Sequence, residues 1–142
     1  MENISTKQKI LNEALSLFAK KGYKSVSVKE IARTFGIKAP LLYKHYKSKQ
    51  SIFDAIFKEM NHRYLQLMES IQMNRINPEI DSTMFENMSE KQLLQIGNFL
   101  FSYFSHDDFN RKIRKVFIIE QFSNKELCSL YIKQYFDSPI AF

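Results

Sequence analysis

The chain has 142 residues, of which 44% are hydrophobic and 14% aromatic, enough to bury a core in one domain or in a small domain with a second helical part. Its single cysteine, Cys128, excludes an intramolecular disulfide and favours a reducing compartment, with a small buried apolar role as the simplest interpretation. No apolar run reaches the roughly 18 residues of a membrane span, and no signal-peptide pattern opens the chain, so we expect a cytoplasmic protein.

Positive charge is concentrated in the first half of the chain. The net charge is +6, and residues 1–65 hold thirteen Lys and Arg against five Asp and Glu, whereas residues 66–142 hold eight against ten. Residues 20–49 include nine basic residues and only one acidic residue. This asymmetry predicts one part that contacts a polyanion and a second part with another task.

Local patterns indicate helices throughout, because glycine, proline and β-type alternation are all scarce. Ser5 followed by Gln8 resembles a capping box and opens a first helix, which carries an apolar stripe and stops near Gly22. Ser27 followed by Glu30 forms another capping box, which opens a short second helix. The sequence therefore predicts an all-α fold that begins with one longer and one shorter helix.

Two further helices follow the second one closely. Gly36 suits the left-handed residue that ends helix two, and Pro40 fits the first turn of a third helix, predicted over residues 41–46. Ser48 is a good cap for a long fourth helix with an apolar stripe. The dipeptide at residues 77–78, Asn-Pro, breaks the pattern and is predicted to be a linker.

The remainder of the chain also has helical patterns. Capping-box patterns at residues 89–92 and 123–126 flank two apolar stripes, and the acidic pair at residues 107–108 suits a helix N-terminus. A last helix is predicted over residues 125–136. We find no repeats and no low-complexity segment.

Helices two and three form a candidate helix-turn-helix. Two short helices joined by a glycine turn place the second helix in the DNA major groove, with its first residues towards base edges. Lys38 in this position can donate to O6 and N7 of guanine. Apolar contact with thymine methyl groups is predicted for Ala39, Pro40 and Leu41.

Residues around the start of helix three are suited to contact the DNA backbone. Ser27, at a helix N-terminus, can offer a hydroxyl and a backbone N–H to a phosphate. The other predicted backbone contacts are Tyr43, Lys44, His45, Lys47 and Lys49. Tyr43 has the alternative of packing in the core.

The same residues resemble the DNA-binding domain of the TetR family of bacterial repressors. The resemblance covers residues 4–57 and rests on Gly22, Tyr23, Ser27, Val28, Ile31, Ala32, Gly36, Ile37, Leu42, Tyr43, His45, Tyr46, Ser48 and Lys49. Val26 and Lys38 depart from the family, which usually has Thr and often Ser there. The resemblance adds Val28 and Lys29 to the DNA interface; Lys29 matches a position that can reach a base, although a solvated lysine is an equally fair interpretation.

The resemblance also implies the overall organisation. Residues 1–48 are expected to form a three-helix DNA-binding domain, joined by the long fourth helix to a helical ligand-binding and dimerisation domain over residues 49–142. Family members usually continue with two more long helices, so this second domain is expected to be incomplete at its C-terminus. Its candidate effector-binding residues are Phe99, Tyr103, His106, Phe117 and Gln121. Core packing is the alternative for the apolar helical stripes, and an ordinary surface or capped histidine is the alternative for His106.

The function implied is a homodimeric repressor that reads a palindromic double-stranded DNA operator and is released by a small apolar or amphipathic effector. The alternative is a protein-interaction or architectural module that contacts DNA only for tethering. The sequence shows no metal-ligand spacing, nucleophile motif or phosphate-cradling glycine loop, so we predict neither an enzyme nor a cofactor or metal site.

Overall fold

A computed structural model describes residues 4–71 and 78–133, which form helices and no strands. This confirms the predicted all-α class for the part of the chain described. The helices are α1 (Thr6–Lys21), α2 (Val28–Phe35), α3 (Ala39–Tyr43), α4 (Lys49–Ser70), α5 (Pro78–Glu86), α6 (Glu90–His106), α7 (Asp108–Glu120) and α8 (Lys125–Ile132). Within these described ranges, no helix is both long and apolar enough to cross a membrane.

The ends of α1 and α2 follow the predicted caps. Ser5 Oγ accepts the Gln8 N–H at 3.2 Å, and Ser27 Oγ accepts the Glu30 N–H at 3.1 Å. Gly22, at the end of α1, has a φ of +84°, a backbone conformation that only glycine adopts without strain. The side chain of Glu30 forms an ion pair with Lys21, which links α2 back to the end of α1.

Helix α3 begins earlier than the sequence predicts. It spans Ala39–Tyr43 and not residues 41–46, because Lys38 occupies the N-cap and Pro40 already lies in the first turn. The predicted cap of α4 is confirmed: Ser48 Oγ accepts the Ser51 N–H at 3.0 Å, and Ser51 Oγ accepts the Ser48 N–H at 3.1 Å.

Two predictions for the second half are confirmed. Ser89 and Gln92 form a reciprocal capping box at the start of α6. Asp107 caps α7 through a 2.9 Å bond from the Asn110 N–H to its carboxylate. The linker prediction at residues 77–78 needs correction at Pro78, which is the first residue of α5, while residue 77 lies outside the described ranges.

The capping box predicted at Ser123 and Glu126 is wrong. Asn124 caps α8 instead, since its Oδ1 accepts the Leu127 N–H at 3.1 Å and the helix begins at Lys125. The Ser123 hydroxyl donates back to Glu120. Residues 134–136 of the predicted last helix lie outside the described residues. Cys128 is half-buried, where the sequence suggested full burial.

One large apolar core joins the first four helices to α7 and α8. Its central members are Ile10, Ala14, Phe18, Ile31, Leu42, Ile52, Ile56, Ile113, Val116, Phe117 and Leu127. Helix α7 lies along α1, so the second half of the chain packs directly on the first. A smaller cluster forms where Tyr64, Leu67 and Met68 of α4 meet Leu100 and Phe104 of α6.

Candidate nucleic-acid interface

Buried side chains fix the angle between α2 and α3. Ile31 and Ala32 of α2 and Leu42 of α3 are at most 1% exposed. Gly36 ends α2 in the left-handed conformation (φ +84°, ψ 27°), and the Ile37 N–H donates to the Ala32 carbonyl at 2.9 Å, a Schellman-type arrangement. The turn between the helices is therefore set by backbone geometry and by packing, independently of any ligand.

Residues 38–41, which we call the base-reading edge, lie at the start of α3 and are largely accessible to solvent. Lys38 and Pro40 are exposed, and Leu41 keeps 44% of its surface accessible although it is apolar. Ala39 is half-buried and packs against the core. Three of the four residues thus project outward at the N-terminus of α3, as groove readout requires.

The predicted phosphate-contacting residues lie around this edge with varied accessibility. Tyr43 is 49% exposed, so the alternative of a core position does not hold. Lys44 and Lys47 are exposed and His45 is half-buried. Ser27 is exposed at the start of α2, and its hydroxyl, which accepts one bond from Glu30, retains a proton to donate.

Two predicted contacts lie on α2 itself. Val28 is half-buried and packs against the core, so most of its surface serves the scaffold. Lys29 is exposed. This exposure is compatible with both interpretations of Lys29, as a base-contacting residue and as a solvated cation.

Lys49 has partners that the sequence did not reveal. Its ammonium donates to the carbonyls of Tyr23 at 2.8 Å and Val26 at 2.9 Å, and it lies 4.1 Å from the centre of the Tyr23 ring. The Tyr23 hydroxyl in turn donates to Gln50 at 2.9 Å. The first turn of α4 therefore holds the loop between α1 and α2. The predicted phosphate contact of Lys49 stays a prediction.

A buried acid of α7 holds the same loop from the other side. Glu120 is 3% exposed, and its Oε1 accepts the Tyr23 N–H at 2.9 Å while its Oε2 accepts the Ser123 hydroxyl at 3.1 Å. A Cβ on Gly22 would lie 3.2 Å from that carboxylate and 3.0 Å from Ile119. The sequence did not reveal the role of Glu120, because its partner Tyr23 is 97 positions away. The only local sign of the close contact is Gly22, which precedes Tyr23.

The candidate effector-binding residues do not converge on one place. Phe99 and Tyr103 of α6 come together with His62 and Arg63 of α4 around a cavity of about 500 Å³. The pKa of the Tyr103 hydroxyl is raised, mainly because the group is partly buried.

The other three candidates lie elsewhere. Phe117 is buried in the large core, with its ring 5.8 Å from that of Phe57. His106 is exposed and its ring lies 6.0 Å from Phe101, while the Gln121 amide donates to the carbonyl of Ile118 at 3.0 Å.

Comparison with known proteins identifies this helix-turn-helix. Residues 10–56 match the family model for bacterial regulatory proteins of the tetR family. The chain is 36% identical over 76 residues to IcaR of Staphylococcus aureus (strain Newman), the negative transcriptional regulator of the biofilm operon icaADBC; the match covers 54% of this chain and 40% of IcaR. It is 25% identical over 130 residues to YttP of Bacillus subtilis (strain 168), a probable transcriptional regulator, covering 91% of this chain and 58% of YttP. No significant match to a solved structure was found.

The fold and the matched segment define a DNA-binding domain of the helix-turn-helix class. More specifically, residues 10–56 form a domain of the type found in bacterial regulatory proteins of the tetR family. The chain spans less than two thirds of the length of the curated relatives that it matches.

Proposed function

We propose that this protein is a homodimeric transcriptional repressor that binds a palindromic DNA operator and is released by a small effector. One observation carries the DNA-binding part: exposed Lys38, Pro40 and Leu41 stand at the start of α3 on a buried α2–α3 scaffold. Exposed cations flank this edge at Lys29, Lys44 and Lys47. This arrangement combines a rigid base-reading element with charge that favours any duplex.

Repression, rather than activation, is supported by the relative named as a negative transcriptional regulator. A repressor of this kind acts by occupying its site, so it needs affinity and specificity but no contact with the transcription machinery. We expect the protein to act in the bacterial cytoplasm, on the nucleoid.

Exposed apolar side chains support the homodimer. Helix α6 is fully described, yet none of its 17 residues is buried. The large apolar residues left in solvent on α6, α7 and the turn after α7 are Leu93, Leu94, Phe99, Phe101, Ile118, Ile119 and Phe122. So many large apolar side chains left in solvent on neighbouring helices support an interaction surface. In the proposed dimer, the two recognition helices would read half-sites about 34–36 Å apart, which is one turn of DNA.

The cavity between α4 and α6 is the proposed effector site. It is lined by the aromatic rings of Phe99 and Tyr103 and by polar groups of Glu59, His62 and Arg63, which suits an amphipathic molecule. Helix α4 extends from this cavity to the end of the helix-turn-helix. An effector that binds better to a shifted α4 would therefore change the spacing of the recognition helices.

We assign residues 1–48 to DNA binding and residues 49–142 to regulation and dimerisation, with α4 as the physical connection. The large core includes side chains of both parts, such as Phe18 of α1 and Ile113 of α7. Movement in the regulatory part is therefore transmitted to the DNA-binding part through packed contacts as well as through α4.

The alternative is a module that contacts DNA only to tether itself. It predicts sequence-tolerant binding and no response to a small molecule. Footprinting of the protein on DNA upstream of its own gene separates the two functions. A homodimeric repressor should protect a palindrome, whereas uniform weak protection at low salt that vanishes at moderate salt would support tethering.

A further inference from the structure

The first turn of α1 is attached to the segment that follows the recognition helix. The Tyr46 hydroxyl donates to the backbone carbonyl of Lys7 at 3.1 Å. The Tyr46 ring is 5% exposed, and the Lys7 ammonium lies 5.3 Å from its centre. Residues 39 positions apart are thus held together by one hydrogen bond and one cation–π contact.

This attachment places a cation beside the proposed DNA interface. Tyr46 directly follows His45 and precedes Lys47, both of which belong to the predicted phosphate contacts. Lys7 is exposed, its ammonium lies 5.3 Å from the centre of the Tyr46 ring, and the first turn of α1 contains no acid. An exposed ammonium fixed next to other phosphate-facing groups adds one more charge to the same polyanion surface.

We propose that Lys7 is a phosphate-binding residue of the DNA interface and that Tyr46 positions it. This rests on the proposed DNA-binding function, and it extends the interface from α2 and α3 to the start of α1. The local sequence around Lys7 gives no sign of it, because the contact is made through the fold.

Lys9 provides a control on the same helix. It lies two residues further on, about 200° around the helix axis, and therefore on another face. There it borders a cavity of about 570 Å³ between α1, α4 and α7, together with Glu13, Arg63 and Asp107. Lys9 is also exposed, so its replacement changes the net charge by the same amount as replacement of Lys7.

The test measures binding of the full chain to a random-sequence 30-base-pair duplex over a series of salt concentrations. Phosphate-binding residues act on any sequence, so the operator need not be known. Removing one such residue makes the negative slope of log K against log salt shallower by about 0.9. Lys7→Gln should show this change and bind roughly tenfold more weakly at 50 mM salt, while Lys9→Gln should stay close to wild type.

Lys47→Gln separates failure of this inference from failure of the proposed function. The role of Lys7 alone would be overturned if Lys47→Gln made the salt dependence of binding shallower while Lys7→Gln and Lys9→Gln both kept the wild-type slope. A wild-type protein that binds no duplex would overturn both.

Tyr46→Phe tests the positioning role, because it removes the hydroxyl and keeps the buried ring. It should weaken binding in the wild-type background and have no further effect in the Lys7→Gln protein. Equal losses in both backgrounds would show that Tyr46 acts independently of Lys7. Thermal melting of each variant confirms that the fold is retained.

Discussion

The carboxylate of Glu120, at the end of α7, accepts the backbone N–H of Tyr23 at 2.9 Å and is almost completely buried there. Tyr23 lies in the loop between α1 and α2, and Lys49 of α4 binds its carbonyl from the opposite side. Helices α4 and α7 therefore both bind one residue of this loop. Through Tyr23 they are joined to the α1–α2 loop by hydrogen bonds as well as by apolar packing.

Glu120→Ala should destabilise the fold by about 1–3 kcal/mol, because it leaves the partly buried Tyr23 N–H without its acceptor. Glu120→Gln keeps an acceptor oxygen and should cost less. The free energy of unfolding in urea measures both. Glu126→Ala, at an exposed position of α8, is the control and should stay within about 0.5 kcal/mol of wild type. Equal stabilities of Glu120→Ala and Glu126→Ala would contradict the proposed role of the buried carboxylate.

Gly22→Ala and Gly36→Ala can be compared, since both glycines have a φ of +84°, with a ψ of 158° at Gly22 and 27° at Gly36. A Cβ at Gly36 meets no atom within 4 Å, whereas a Cβ at Gly22 meets Ile119 at 3.0 Å and Glu120 at 3.2 Å. Gly36→Ala should therefore show only backbone strain, of about 1–2 kcal/mol. Gly22→Ala should cost at least about 1 kcal/mol more, because its backbone conformation is open essentially to glycine alone and a crowded contact with α7 is added.

Denaturation midpoints with unchanged m-values measure the difference between the glycine variants. A Gly22→Ala protein as stable as Gly36→Ala would contradict both the backbone conformation at Gly22 and the close packing of α7 against this turn.

Lys49→Met should reduce stability, whereas Lys47→Met should not. The Lys49 ammonium bonds two backbone carbonyls, and hydrogen bonds to charged groups contribute about 1.5–3 kcal/mol. Lys47 is exposed and should tolerate the change to within about 0.5 kcal/mol. Thermal unfolding of the two variants decides between a scaffold role for Lys49 and a purely DNA-contacting one, which would leave both melting temperatures alike.

Lys38→Ala should change base preference, because Lys38 stands at the start of the recognition helix with its side chain exposed. The expected loss is about 1–3 kcal/mol on a site with guanine at the contacted position and much less on other sites. Lys47→Ala should instead weaken all sequences alike and lower the salt dependence. Competition binding between duplexes that differ at single positions measures this. The same uniform loss for both variants would remove Lys38 from base readout.

The sequence revealed those features whose signals are local. Ser5, Ser27, Ser48 and Ser89 cap their helices as predicted, because a cap needs only its own side chain and the next three residues. The predicted cap of α8 was wrong because Ser123 and Asn124 are both good capping residues, and the bond between Ser123 and Glu120 decides between them.

Features that depend on tertiary contacts were not predictable. Phe99 and Phe117 belong to similar apolar helical stripes, yet one borders a cavity and the other lies in the core. Only the packing of α7 on α1 distinguishes them. The same limit applies to the Glu120–Tyr23 bond, which joins residues 97 positions apart.

Selection from a pool of randomised duplexes tests the central claim, sequence-specific reading by the start of α3, most directly. The full chain is used at fixed salt near 150 mM, and the affinity of the enriched sequences is compared with that of random duplex. We predict an enriched palindrome with half-site centres about 34–36 Å apart, bound at least about 10³-fold more tightly than random duplex. An unenriched pool, with equal affinity for selected and random duplexes, would contradict this claim.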